Sequence, residues 1–121
     1  MAKNKYRGLS TNQTVSLARE EMKVFREKWA ELTDETTYVA RMAKEYDRDM
    51  TPLMKAETLN RGLLTLKNLT DAHFARKKPG FFSMLFRTKA AQEYRKERRE
   101  INEIAKTLKE VEEKNPDIVG L

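Results

Sequence analysis

VSLAREEMKVFREKWAELTDETTYVARMAKEYDRDM, residues 15–50, is the stretch on which the fold turns. Within it Val15, Ala18, Met22, Phe25, Trp29, Leu32, Thr36, Val39, Ala43, Tyr46 and Met50 follow one another at alternating steps of three and four residues, and only Thr36 is plainly polar. That spacing is the seam of a helix packed lengthwise on another helix, held in phase for about five heptads. Thr33-Asp34-Glu35-Thr36-Thr37 contains weak helix formers and good caps, which invites a break. The heptad phase does not slip across it, so the expectation is one helix over about 11–50, capped near Ser10-Thr11-Asn12 and about 60 Å long.

Thr51-Pro52 restarts the chain with a capping hydroxyl and a proline at the first helical position. A second helix over 52–77 carries Ala56, Leu59, Leu63, Leu66 and Leu69 on its main stripe, widened by Leu53 and Leu64. If it folds straight back on the first helix, Val39 faces Leu63 and Ala43 faces Leu59. Gly62 then lies beside Ala40 and Ala43, where small residues let backbones approach. Lys77-Lys78-Pro79-Gly80 ends this helix, and a third over 83–114 has the narrow stripe Ala90, Tyr94, Ile101, Ile104, Leu108 and Val111 before Asn115-Pro116 stops it. The expected fold class is all-α: an elongated antiparallel helical hairpin or coiled coil with a third helix alongside, a three-helix bundle. Residues 1–10 are expected to be a basic N-terminal tail, 11–114 a single helical domain and 115–121 a C-terminal tail.

Composition agrees. In 121 residues, 39% are hydrophobic and 36% charged, a balance that suits amphipathic helices needing one apolar stripe each. Four glycines and three prolines leave little turn chemistry for a sheet. No cysteine is present, which excludes disulfides, thiolate metal sites and a cysteine nucleophile. No run resembles a signal peptide or reaches the roughly 20 apolar residues of a membrane span. The expectation is a cytoplasmic protein, or one peripheral at the inner face of a membrane.

Enzyme signals are nearly absent. His73 is the one histidine, which rules out His-based metal clusters, and its place on the apolar side of the second helix reads as a packed, hydrogen-bonded residue. There is no Gly-rich phosphate loop and no nucleophile elbow. Carboxylates such as Glu20, Glu21, Glu110, Glu112 and Glu113 alternate with Lys and Arg at helical spacing and read as solvated faces. No catalytic residue, cofactor, metal or small-molecule substrate is expected.

Charge points to binding. Residues 75–99 hold nine Lys or Arg against two Glu, a net +7, where the whole chain carries +6. The sharpest feature lies at their start: Arg76, Lys77 and Lys78, then Phe81, Phe82, Met84, Leu85 and Phe86, then Arg87 and Lys89. On a helix the apolar block spans about 200° of arc with cations on both sides, the composition of an interfacial anchor. The segment resembles the short basic-aromatic membrane-targeting helices of several bacterial membrane-associated proteins. Arg95, Arg98 and Arg99 extend the basic stretch, interrupted by Glu93, Glu97 and Glu100. The expected function is a non-enzymatic binding or assembly protein docking on an anionic surface, a membrane face first, through this elbow. One alternative is a nucleic-acid-binding accessory protein that adds Lys3, Lys5 and Arg7 to the same patch. Another is a purely structural oligomeric scaffold, such as a phage or plasmid accessory protein. The bland reading of the aromatics is that they cap Met22 and Phe25. In the direct hairpin register, Val15, Ala18, Met22 and Phe25 overhang the second helix, which makes them the expected seam of a homo-oligomer.

Overall fold

The computed structural model describes residues 4–45, 49–76 and 78–121. It is all-helical: α1 (Thr11–Thr33), α2 (Tyr38–Lys44), α3 (Thr51–Ala75), α4 (Phe81–Leu85) and α5 (Lys89–Lys114), with no strand among the described residues. No helix of the described residues is long and apolar enough to cross a membrane.

Local side-chain chemistry sets the ends. Ser10 and Gln13 form a reciprocal capping box, the Gln13 N–H donating to Ser10 Oγ at 3.2 Å and the Ser10 N–H to Gln13 Oε1 at 3.0 Å. The continuous helix expected over 11–50 is broken. Asp34 turns extended, and its carboxylate accepts the Thr36 N–H at 3.0 Å and the Thr36 hydroxyl at 2.7 Å. Those bonds hold the Asp34 carboxyl below the usual carboxylate range. The Thr37 hydroxyl then caps α2 by accepting the Ala40 N–H. Here side chains take the backbone groups that a helix needs, so an uninterrupted heptad phase did not keep the helix whole. Tyr46 lies outside the described residues. At the head of α3 the Thr51 hydroxyl has no partner among the described residues, and the Asp49 carboxylate accepts the Thr51 N–H at 2.9 Å.

The long helices pack pairwise, α1 on α3, α3 on α5 and α1 on α5. The register of α1 on α3 differs from the direct hairpin. Phe25 lies against Gly62, Thr65 donates to Glu21, and Arg76 reaches Thr11 and Thr14, so facing pairs have numbers adding to 86–90 rather than about 102. With α1 ended at Thr33, α3 slides along it by about four helical turns. Val39 and Ala43 sit on α2, which packs on α3 as a separate helix. A Cβ on Gly62 would come within 2.8 Å of Leu108 Cδ2 and 3.2 Å of the Phe25 ring, so the close approach involves α1 and α5, not Ala40 and Ala43. The pairs His73–Glu97 and Gly62–Leu108 make α3 and α5 antiparallel. Thr11–Glu97 and Arg19–Glu100 make α1 and α5 parallel.

This shift corrects the oligomer-seam expectation. Val15, Ala18, Met22 and Phe25 are all buried within the single chain, and the last three share a core with Leu59, Leu69, Ala72, Ile101, Ile104 and Leu108. No uncovered end of α1 remains to drive association. The described residues at the two ends, from Asn4 and through Ile118, are not free tails either. Tyr6 is fully buried, Asn4 donates to the Asn68 carbonyl at 2.8 Å, and Ile118 joins the same core. Burial and the neighbouring Glu21 carboxylate push the Tyr6 phenol far above its ordinary range.

Candidate functional site

The helix expected from residue 83 is two helices. α4 ends at Leu85 with Phe86 as its cap, Arg87 takes the left-handed conformation (φ 52°), and Thr88 caps α5 by accepting the Ala91 N–H. This corner sits on the first turns of α5, the one helix that α4 touches. The bonds that hold it are aimed at backbone. Arg95 donates to the Met84 carbonyl at 3.0 Å, Gln92 to the Arg87 carbonyl at 3.0 Å, and the Thr88 N–H to the Ser83 carbonyl at 3.2 Å, while the Ser83 and Thr88 hydroxyls pair.

Held by its backbone and by the half-buried Ser83 and Met84, α4 leaves its large apolar side chains in the open. Phe81 is 75%, Phe82 70%, Leu85 60% and Phe86 72% exposed. Phe81 and Phe82 meet edge to face, centroids 5.6 Å apart. The capping reading is thereby corrected: these rings do not cover Met22 and Phe25, which the core encloses without them. Phe74, 61% exposed with the Arg98 guanidinium 5.5 Å above its ring, adds an aromatic that the sequence reading missed.

The cations divide. Lys78 is exposed before α4, and Arg87 and Lys89 are exposed after it. Arg87, Lys89, Arg95, Arg98 and Arg99, joined by Lys96, line one surface recess. Lys77 and Lys3 lie outside the described residues. Lys5 pairs with Glu21 and lines a different recess, beside Phe25 and Gly62, so it does not extend this patch. Arg76 is a correction. Its guanidinium turns inward, donating to the Leu9 carbonyl at 2.6 Å, to Thr14 Oγ1 at 2.8 Å and to Glu97 at 2.8 Å.

Glu97, which the sequence offers only as an interruption of the basic stretch, is 1% exposed. Its Oε1 accepts from His73 Nδ1 at 3.0 Å, and its Oε2 accepts from the Thr11 hydroxyl at 2.6 Å and from Arg76. An ionised carboxylate only accepts, so the His73 nitrogen that faces it is the donor of that bond. His73 is itself 1% exposed, packed against Tyr94 with centroids 4.6 Å apart, and its Nε2 has no protein partner among the described residues. It lies level with Glu97 and Thr11. The cluster ties the head of α1, the end of α3 and the third turn of α5 together beneath the loop that enters α4. A buried carboxylate satisfied on both oxygens by three donors is a rigid anchor, and it fixes where the aromatic corner stands. Compared with family models, curated proteins and solved structures, the chain matches none.

Proposed function

We propose that this chain is a non-enzymatic membrane-docking protein: a three-helix bundle that presents α4 and its flanking cations to an anionic lipid surface. The exposure of Phe81, Phe82, Leu85 and Phe86 at a corner fixed by backbone-directed bonds carries the reading. Four large apolar side chains left outside the core of a small protein mark a surface that functions by being covered. Bulky rings entering the acyl boundary with Lys and Arg at headgroup level constitute an interfacial anchor. Lys78, Arg87 and Lys89 bracket the rings, and each Lys or Arg close to an anionic bilayer contributes roughly 1 kcal/mol. The cations draw the protein in, and the rings hold it once it has arrived.

The test is co-sedimentation of the full chain with phosphatidylcholine vesicles, with and without phosphatidylglycerol, over a salt series. Binding to the anionic vesicles alone, with a remainder that survives high salt, supports the reading. Absence of vesicle binding overturns it. So does DNA or RNA binding at lower protein concentration, with log affinity falling linearly in log salt, which is the signature of phosphate tracking.

A further inference from the structure

We infer that the recess on the first turns of α5 is a headgroup site for a lipid bearing a terminal phosphate monoester. This inference rests on the membrane reading and narrows it from diffuse charge to one kind of lipid. The recess, about 710 Å³, falls within the range of small-ligand sites and is larger than a lone phosphate requires. It adjoins α4 directly, since Arg87 belongs to its wall and Arg95 bonds the Met84 carbonyl. A lipid whose chains lie beside the exposed rings therefore has its headgroup within reach of these side chains.

Three observations give the ligand its chemistry. First, the wall holds six Lys or Arg against the single carboxylate of Glu93, a net +5. A phosphodiester brings one negative charge; a phosphate monoester brings about −1.5 to −2 at neutral pH and three terminal acceptor oxygens. Second, among the described residues none of the six cations is in an ion pair, whereas Lys5, Arg19, Lys44, Arg61 and Arg76 all are. The charge of the recess is therefore not neutralised by any carboxylate pairing among the described residues. Third, two of the cations are held by neutral acceptors. Arg95 is held by the Met84 carbonyl, and Lys96 by Asn12 Oδ1 at 2.9 Å. A guanidinium has five N–H donors and an ammonium three, so each keeps donors free while its position is fixed. Arg95 and Arg99, one helical turn apart on α5, can then grip phosphate oxygens in pairs, geometry for which a guanidinium is suited.

The experiment uses the full chain and two vesicle types of equal surface charge, one containing phosphatidic acid and the other phosphatidylglycerol. The expected result is binding about tenfold tighter to phosphatidic acid. Lys96→Gln with Arg99→Gln should abolish that preference. Lys106→Gln with Lys109→Gln, which removes the same charge from the distal part of α5, should leave the preference intact. Soluble glycerol 3-phosphate should compete with phosphatidic acid vesicles only at far higher concentration, because it lacks the chains that engage α4. Equal binding to the charge-matched vesicles overturns the headgroup site and leaves the membrane reading standing. So does an equal loss of preference in the two double variants. If the Lys96/Arg99 variant fails to fold, Arg99→Gln alone, at an exposed position, decides by the same comparison. No binding to either vesicle overturns both.

Discussion

Phe82→Ser combined with Phe86→Ser separates a docking surface from a core. Burying a phenylalanine side chain completely is worth about 1.5–3 kcal/mol. In the folded chain Phe82 is 70% and Phe86 72% exposed, so most of that term is still unused. Bilayer insertion therefore gains about 1–2 kcal/mol from each ring, and the double variant loses about 2–4 kcal/mol of binding, roughly 30-fold to several hundred-fold. The loss should appear in the salt-resistant fraction, because at 1 M salt the Debye length is about 3 Å and the cations no longer act at range. Vesicle sedimentation at 0.1 M and 1 M salt reads this directly. Stability should change by less than about 0.5 kcal/mol, as for other exposed substitutions, and helix content should be unchanged by circular dichroism. A marked fall in melting temperature would show that the rings belong to the core. Unaltered binding at 1 M salt would show that they take no part in docking.

Three further outcomes test the body that carries this corner. Gly62→Ala should destabilise by about 1 kcal/mol in urea unfolding, because crowding against Leu108 and Phe25 outweighs the helix-propensity gain of about 1 kcal/mol; a net stabilisation would mean that Leu108 swings aside. Glu97→Ala should cost about 3 kcal/mol, the lower end for breaking a buried pair since Arg76 is partly exposed, and a cost under about 1 kcal/mol would refute the anchor role. The Tyr6 phenol, raised when folded, keeps its proton where an unfolded tyrosine ionises near pH 10. Its contribution is complete below pH 10 and declines above it, by up to about 1.4 kcal/mol per pH unit. Denaturation of wild type and Tyr6→Phe from pH 9 to 11.5 should show the smaller alkaline loss in the variant; parallel curves would refute this assignment.

The helical class, the start of α1, both ends of α3 and the end of α5 were legible because they depend on neighbours in sequence. Ser10, Pro52 and Asn115 mark ends of α1, α3 and α5 within a residue or two. What escaped depends on competition or on distance. The break at 34–37 is a contest between Asp34 and Thr37 side chains and the helix ladder, and heptad counting does not weigh it. The register of α1 on α3 depends on that break, and with it the burial of Val15, Ala18, Met22 and Phe25. Tyr6 and Ile118 join a core assembled from remote residues, which no local period announces. Glu97 did leave a trace. Stepping back four residues along the Ile101, Ile104, Leu108 stripe lands on it, so its carboxylate lies on the buried line of α5. The aromatic block was conspicuous in the sequence. Its exposure was not, because five residues fit a bundle cap as well as a projecting corner.

The charges of α5 run against the helix that bears them. A helix backbone carries about half a positive charge at its start and half a negative one at its end, so anions suit the first turns and cations the last. Here the first turn holds no acidic residue, and residues 87–99 bring six Lys or Arg against Glu93 and Glu97. Residues 100–114 carry five Glu against Lys106, Lys109 and Lys114. In the free protein the opening turns of α5 therefore repel themselves, and any anion that settles there relieves the peptide dipoles and the side chains together. Docking then firms up the very turns that make it. Amides of residues 89–96 should exchange with solvent more slowly on anionic vesicles than in free solution, while those near residue 110 should keep their rates.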